Sequence, residues 1–239
     1  MSIKVTLYNQ DCLDLMKTMP DKSVDLVLTD PPYGINRHKG FDTCFGLSGF
    51  NGAKRILIDR RIYPDDGWDN ERPNIELFNE ILRISKETII FGGNYFADIL
   101  PRSFHWLVWD KKNTMPTFSD CELIWTNIDR NSTKIYRFEF NGLIGKEKER
   151  YHPTQKPTKL IGNILQDYSE KDMTIFDPFM GSGTTGVACV QLERNFIGCE
   201  ISKDYYEIAK ERIEEAQNTL FNEPVEKELS LQMELNNDY

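Results

Sequence analysis

The chain has 239 residues, enough for one substantial core or one core with an inserted lobe. Five cysteines without a C-x-x-C pair and three histidines argue against a disulfide framework or a zinc site, so no metal is expected. A formal charge of −9 argues against a uniformly basic nucleic-acid surface, and the absence of a long apolar run or a basic-then-apolar N-terminus predicts a cytoplasmic protein with no membrane partner.

In chain order, Ile3–Tyr8 (IKVTLY) reads as a strand, Leu13–Met19 as a short helix stopped by Pro20, and Val24–Thr29 (VDLVLT) as a second strand ended by Asp30-Pro31-Pro32. Residues 34–70 are long, glycine-rich and without a sustained period, which marks a functional or a mobile loop. Pro73–Lys86 repeats apolar residues at helical spacing, with Pro73 suited to a first turn. Strands follow at Thr88–Phe91 and Phe104–Trp109, separated by the turn Gly92-Gly93-Asn94. Cys121–Thr126 and Lys134–Phe140 are shorter strands. Thr158–Tyr168 is a helix begun by Pro157, Thr174–Phe176 a strand, Ser182–Leu192 a helix and Phe196–Cys199 a strand. Ser202 caps an amphipathic helix to Ala216, and an acidic tail occupies about 218–239.

Strands alternating with helices imply an α/β fold, a mostly parallel sheet with helices on both faces. Such sheets bind ligands at the carboxyl ends of their strands. Asp11, Asp30, Asp177 and Glu200 each stand just beyond one of the strands, so parallel strands would place four carboxylates on one rim. Gly181, Gly183 and Gly186 have the G-x-G-x-x-G spacing of a dinucleotide loop. Asp177 would repel a pyrophosphate docking on the helix behind that loop. S-adenosylmethionine, with a sulfonium, an ammonium and a carboxylate, suits the site better. Glu200 is placed to accept from ribose hydroxyls with either cofactor. Asp11 has two readings, a helix cap or a cofactor contact.

"VDLVLTDPPYG" raises a second chemistry. Asp-Pro-Pro forms a rigid corner that presents two acceptors, the Asp30 carboxylate and the Pro31 carbonyl, with the π-face of Tyr33 beside them. An exocyclic amino nitrogen of a nucleobase is a poor nucleophile, because its lone pair is delocalised. Two acceptors on its N–H groups pull it toward tetrahedral geometry and stabilise the charge that develops on methyl transfer. The base must leave the duplex stack, and stacking on Tyr33 returns roughly 1–3 kcal/mol of that cost. Either motif alone is weak evidence; both together, each after an apolar strand and with Glu200 in place, point to function.

Asp30-Pro31-Pro32-Tyr33 together with Asp177-Pro178-Phe179-Met180-Gly181-Ser182-Gly183-Thr184 resembles the DNA amino-methyltransferases, which act on adenine N6 or cytosine N4. The order, catalytic corner first and cofactor loop last, resembles the circularly permuted β-class, and "YHPTQKP" (Tyr151–Pro157) matches its segment before the cofactor loop. The resemblance implies a Rossmann-like methyltransferase fold with an antiparallel strand near the sheet edge, S-adenosylmethionine as donor and often a homodimer. By resemblance, Asp30, Pro31, Pro32 and Tyr33 act on the base. Asp11 approaches the cofactor adenine and Glu200 the ribose. Asp177, Gly181, Gly183 and Thr184 surround the methionine part, and Cys12, Asp30, Lys156, Phe179 and Ser182 complete the cofactor set. Aspartate at the corner leans toward adenine, since the cytosine enzymes more often carry serine there.

Two segments are locally basic: 34–61 has six bases against two acids, and 134–159 has seven against three. A phosphate backbone responds to local potential, so Arg37, Lys39, Lys54, Arg55, Arg60, Arg61, Lys134 and Arg137 are candidate contacts to double-stranded DNA. Two solvated loops are the plainer reading of the same residues. The expected organisation is one catalytic domain over 1–239 with recognition insertions at about 34–70 and 127–150. A partner restriction nuclease fits the same class. The alternatives are a cytosine N4 enzyme, an RNA methyltransferase, a non-catalytic subunit of the same fold and, more remotely, an NAD-dependent dehydrogenase. Trp68, Trp106, Trp109 and Trp125 read as core aromatics, His152 as a loop anchor, and Asn94 and Tyr95 as either pocket or plain turn.

Overall fold

A computed structural model describes residues 3–35, 71–112, 119–138 and 155–222. Its strands are β1 (Val5–Tyr8), β2 (Val24–Thr29), β3 (Ser85–Phe91), β4 (Leu107–Asp110), β5 (Cys121–Thr126), β6 (Lys134–Arg137), β7 (Thr174–Asp177) and β8 (Asn195–Cys199). They form one sheet in the order β1-β8-β7-β2-β3-β5-β4-β6. β5 runs antiparallel to both its neighbours, β3 and β4, and every other pairing is parallel. The mostly parallel sheet agrees with the strand–helix alternation of the sequence, and the reversed strand, third from one edge, with what the family resemblance implies.

The helices are α1 (Cys12–Thr18), α2 (Ile75–Ile84), α3 (Thr158–Tyr168), α4 (Thr184–Gln191) and α5 (Lys203–Asn222). Alternation along the central strands divides the core in two. Leu26, Leu28, Ile89, Phe91 and Ile175 face α3, α4 and α5, packing on Leu160, Ile164, Ala188 and Ile213. Val27, Ile90 and Phe176 face the other way, onto Met16 of α1 and Phe78 and Ile81 of α2. Each such fully buried side chain contributes about 1.5–3 kcal/mol.

Local chemistry fixes the element ends. Asp11 caps α1 by accepting from the N–H groups of Leu13 and Asp14. α2 starts at Ile75, so Pro73 stands before the first turn rather than in it; Asn74 is the cap, with Oδ1 accepting from Leu77 N at 3.1 Å. α5 continues six residues beyond the sequence expectation of Ala216, to Asn222. Asp25 binds Lys86 Nζ at 2.6 Å and Thr174 N at 2.8 Å, tying β2 to its neighbours on either side. Among the described residues no helix is long and apolar enough to cross a membrane.

Candidate functional site

β1, β8, β7 and β2 are adjacent and parallel, so the residues following them share one rim of the sheet. A cavity of about 480 Å³ opens there. Asp30, Pro31, Pro32 and Tyr33 line one part of it; Asp177, Phe179, Gly181, Ser182 and Thr184 line another, with Lys156 and Glu200. The structure therefore brings the proline corner and the glycine turn together. Three carboxylates and one lysine are the ionisable acids and bases among its acidic and basic lining residues, leaving a negative balance. That balance disfavours a pyrophosphate and suits a cationic ligand.

Asp30 is held on both oxygens. The Tyr33 hydroxyl donates to Oδ1 at 2.5 Å, and Lys156 Nζ donates to Oδ2 at 2.6 Å. Burial raises the Asp30 carboxyl above its usual range, against the pull of the Lys156 charge. Burial works against the Lys156 charge, but Asp30 and Glu122 outweigh it and hold the ammonium protonated. Tyr33 is itself fixed in place. Its ring stacks on Tyr95 at 4.5 Å between centroids. Gly92, with φ +65°, packs so close that a Cβ there would lie 2.3 Å from the Tyr33 ring. Arg72 secures the Tyr95 turn through its carbonyl and through Asp98.

The glycine turn is pinned by acids rather than open to them. Glu200 accepts from Gly181 N at 3.0 Å and from Ser202 N at 2.8 Å, clamping the turn after β8 to the turn after β7. Asp177 accepts from Thr29 and Thr185 hydroxyls at 2.8 and 2.7 Å and from Phe179 N at 3.1 Å. Burial nevertheless pushes its carboxyl up to about 6. An acid with a raised folded-state pKa holds a proton that the unfolded chain has released, so its ionised form costs stability as pH rises through that window. Asp177→Asn, whose amide can keep the same neighbours, is expected to melt several degrees higher than the parent at pH 8. The gain is up to about 3 kcal/mol at ~1.36 kcal/mol per pKa unit, and it should shrink as pH falls from 6 toward 4. Melting curves across that range check it; a gain that grows on acidification would contradict it.

Asp11 and Cys12 are not among the cavity's lining residues. Asp11 is the α1 cap, and Cys12 is buried in the core with its thiol pushed up by burial. The turn after β1 still borders the Glu200 end, since Asn9 Nδ2 donates to the carbonyls of Glu200 and Ile201 at 2.8 and 3.1 Å. Lys134 stands at the amino end of β6, opposite the cavity rim, and its ammonium binds Asp167 at 2.5 Å. Arg137 stands at the carboxyl end of β6, 3.5 Å from Asp110. Residues 127–138 form a connection and the edge strand β6. Arg37, Lys39, Lys54, Arg55, Arg60, Arg61, Trp68 and His152 lie outside the described residues.

The sequence reading passed over Glu122 and Lys111. Glu122 Oε1 accepts from Lys111 Nζ at 2.7 Å, and its Oε2 lies 3.3 Å from Lys156 Nζ. Burial opposes its charge, but the two lysines overcome this and bring the carboxyl down to about 2. The available signal was a glutamate inside the otherwise apolar strand CELIWT. Gln155, quoted in the YHPTQKP match but given no role of its own there, is buried beside Lys156 and accepts from the Ser182 hydroxyl at 3.3 Å.

Comparison with known proteins agrees with this geometry. A family model described as DNA methylase matches residues 105–211. The Type II methyltransferase M2.MboI of Moraxella bovis is 30% identical over 252 residues, covering 91% of this chain and 90% of that protein. M2.DpnII of Streptococcus pneumoniae, also a Type II methyltransferase, is 26% identical, covering 90% of this chain and 92% of its own. Among solved structures, the M1.HpyAVI–SAM complex superposes with a TM-score of 0.54 at 23% identity, over 87% of this chain and 98% of that one. The cytosine-N4-specific PvuII DNA methyltransferase superposes at 0.56 with 15% identity, over 94% and 95% of the two chains. At those identities the structural likenesses speak for the fold, and the M2.MboI match speaks for kinship. The chain belongs to the β-class N6/N4 DNA methylases, the amino-methyltransferases of DNA.

Proposed function

We propose that the chain transfers a methyl group from S-adenosylmethionine to the N6 amino group of an adenine flipped out of double-stranded DNA. The observation that carries this reading is the shared cavity: the Asp30 corner and the 181–184 turn line the same space. A volume of about 480 Å³ falls within the roughly 300–1,000 Å³ of ligand pockets. Its acid-rich lining fits a ligand bearing a sulfonium and an ammonium, so the residues present suit this donor.

In this reading Asp177, Ser182, Gly183 and Thr184 hold the methionine part, and Phe179 and Ile201 offer apolar flanks. Glu200 faces the ribose. The turn after β1, through Asn9, borders the end of the site at Glu200, where the adenine of the donor would extend. When bound, the donor supplies an electrophilic methyl on its sulfonium. Asp30 and the Pro31 carbonyl accept from the two N–H groups of the target amine and orient its lone pair, while the stiff prolines keep both acceptors fixed. Tyr33, immobilised by Tyr95 and Gly92, offers a fixed ring for the base. Residues 34–70 and 139–150 carry target recognition.

The aspartate at the corner favours adenine over cytosine. Mass spectrometry of nucleosides from duplex DNA treated with the protein and the methyl donor tests this. N6-methyladenine is the expected product. N4-methylcytosine alone transfers the reading to the cytosine enzyme, and methylation of RNA in preference to duplex DNA removes the proposed substrate.

A further inference from the structure

Beneath the catalytic corner four charged side chains form a line: Lys111, Glu122, Lys156 and Asp30. Lys111 and Glu122 come from β4's exit and β5, whereas Asp30 follows β2 and Lys156 precedes α3. Lys156 Nζ lies between two carboxylates, 2.6 Å from Asp30 Oδ2 and 3.3 Å from Glu122 Oε2. Asp30 takes the shorter hydrogen bond, while the buried Glu122 Oε2 holds the same ammonium as a longer ion pair. A buried carboxylate oxygen gains from a shorter, better-directed donor, so the Glu122 side has room to tighten. The ammonium also sits between two rings, 5.2 Å from the Phe91 centroid and 5.9 Å from that of Tyr33. Those π-faces stabilise a cation at intermediate positions between the carboxylates.

This arrangement poses a problem for the reaction. Both Asp30 oxygens are engaged, one by a cation. Positive charge develops on the target amine during methyl transfer, and an ammonium held against the accepting oxygen opposes it. We propose that Glu122 is a positioning residue that takes Lys156 over from Asp30 when the target amine docks, freeing Asp30 Oδ2 to accept from the amine. The exchange replaces one hydrogen bond of the ammonium by another; no proton transfers and no covalent bond changes. Lys111 keeps the other Glu122 oxygen occupied, so the carboxylate stays aimed at Lys156. Before docking, the same lysine keeps Asp30 ionised and in place. The inference rests on the reading that Asp30 accepts from the amine, and it holds for either base.

Glu122→Gln tests it, because glutamine keeps the volume and can still accept from Lys111 while losing the charge that draws Lys156 away. Single-turnover methyl transfer is expected to fall about 10–100-fold. Cofactor and DNA dissociation constants should stay within threefold, while the melting temperature falls, since Lys111 and Lys156 lose the charge that pairs with them. A purely structural role would instead weaken cofactor and DNA binding together with the rate. In a complex with duplex DNA and sinefungin as the unreactive donor analogue, Lys156 Nζ is expected nearer Glu122 Oε2 than Asp30 Oδ2. A Glu122→Gln rate within twofold of the parent, or an ammonium still on Asp30 in that complex, overturns the hand-over. Failure of the underlying reading would show differently, as an Asp30→Ala variant that still methylates.

Discussion

Asp30→Ala is expected to slow single-turnover methyl transfer by about 10³-fold, the scale of losing a group that stabilises developing charge, while the cofactor dissociation constant changes only a few-fold. The split follows from where the parts stand. Asp30 follows β2, whereas the proposed donor contacts, Asp177, the 181–184 turn and Glu200, stand at the end of β7, at the start of α4 and just after β8. Removing the Asp30 carboxylate takes away an acceptor for the amine and leaves the Glu200 clamp on Gly181 and Ser202 untouched. The fold should survive, because Lys156 retains Glu122 as a counter-charge 3.3 Å away. Rapid-quench kinetics with labelled donor, paired with calorimetric titration of the cofactor, read the two quantities separately. Turnover within tenfold of the parent would end the catalytic assignment, and a cofactor affinity that falls in step with the rate would mean the corner and the turn are one binding unit.

Much of this architecture was legible because it is written locally. β2 and α3 match their sequence boundaries, since each has an unbroken apolar pattern closed by proline or by a chain turn. The corner and the glycine turn were legible for the same reason: a few consecutive residues carry the whole geometry. The reversal of β5 was not, because nothing in CELIWT says that it inserts between β3 and β4 rather than beside β4 alone. The last turns of α5 were hidden by an exposed, acid-rich surface that imposes little period. Glu122 shows the limit most clearly. Its significance comes from standing 3.3 Å from Lys156, a residue on a different element, and only the folded sheet creates that proximity. Asp11 illustrates the converse. Its sequence position suited both a cap and a cofactor contact, and its carboxylate is now seen accepting from two α1 amides.

Gly183→Ala is expected to lower the melting temperature by roughly 5–15 °C, at about 2–4 °C per kcal/mol for a chain of this size, and to weaken cofactor binding with it. Gly183 caps α4 with φ +80°, a conformation that costs an alanine about 1–2 kcal/mol. A Cβ there would stand 2.9 Å from both the Cα and the Cβ of Ala209 and 3.2 Å from its carbonyl oxygen. Ala209 is fully buried in the middle of α5, so the obstruction includes backbone, and relief requires α5 to move. Such overpacking adds about 1–3 kcal/mol. The same displacement would drag Arg212, which donates to the Ser182 carbonyl and hydroxyl, and so loosen the turn that lines the cavity. Gly181→Ala is the internal control for stability. Its φ is +51°, but no atom lies within 4 Å of the added Cβ, so it carries the backbone cost without the collision. Thermal melts of both variants, with and without S-adenosylmethionine, separate the two causes. If Gly183→Ala melts no lower than Gly181→Ala, the left-handed backbone alone demands the glycine, and the approach of α5 to the turn has no part in holding the cofactor site.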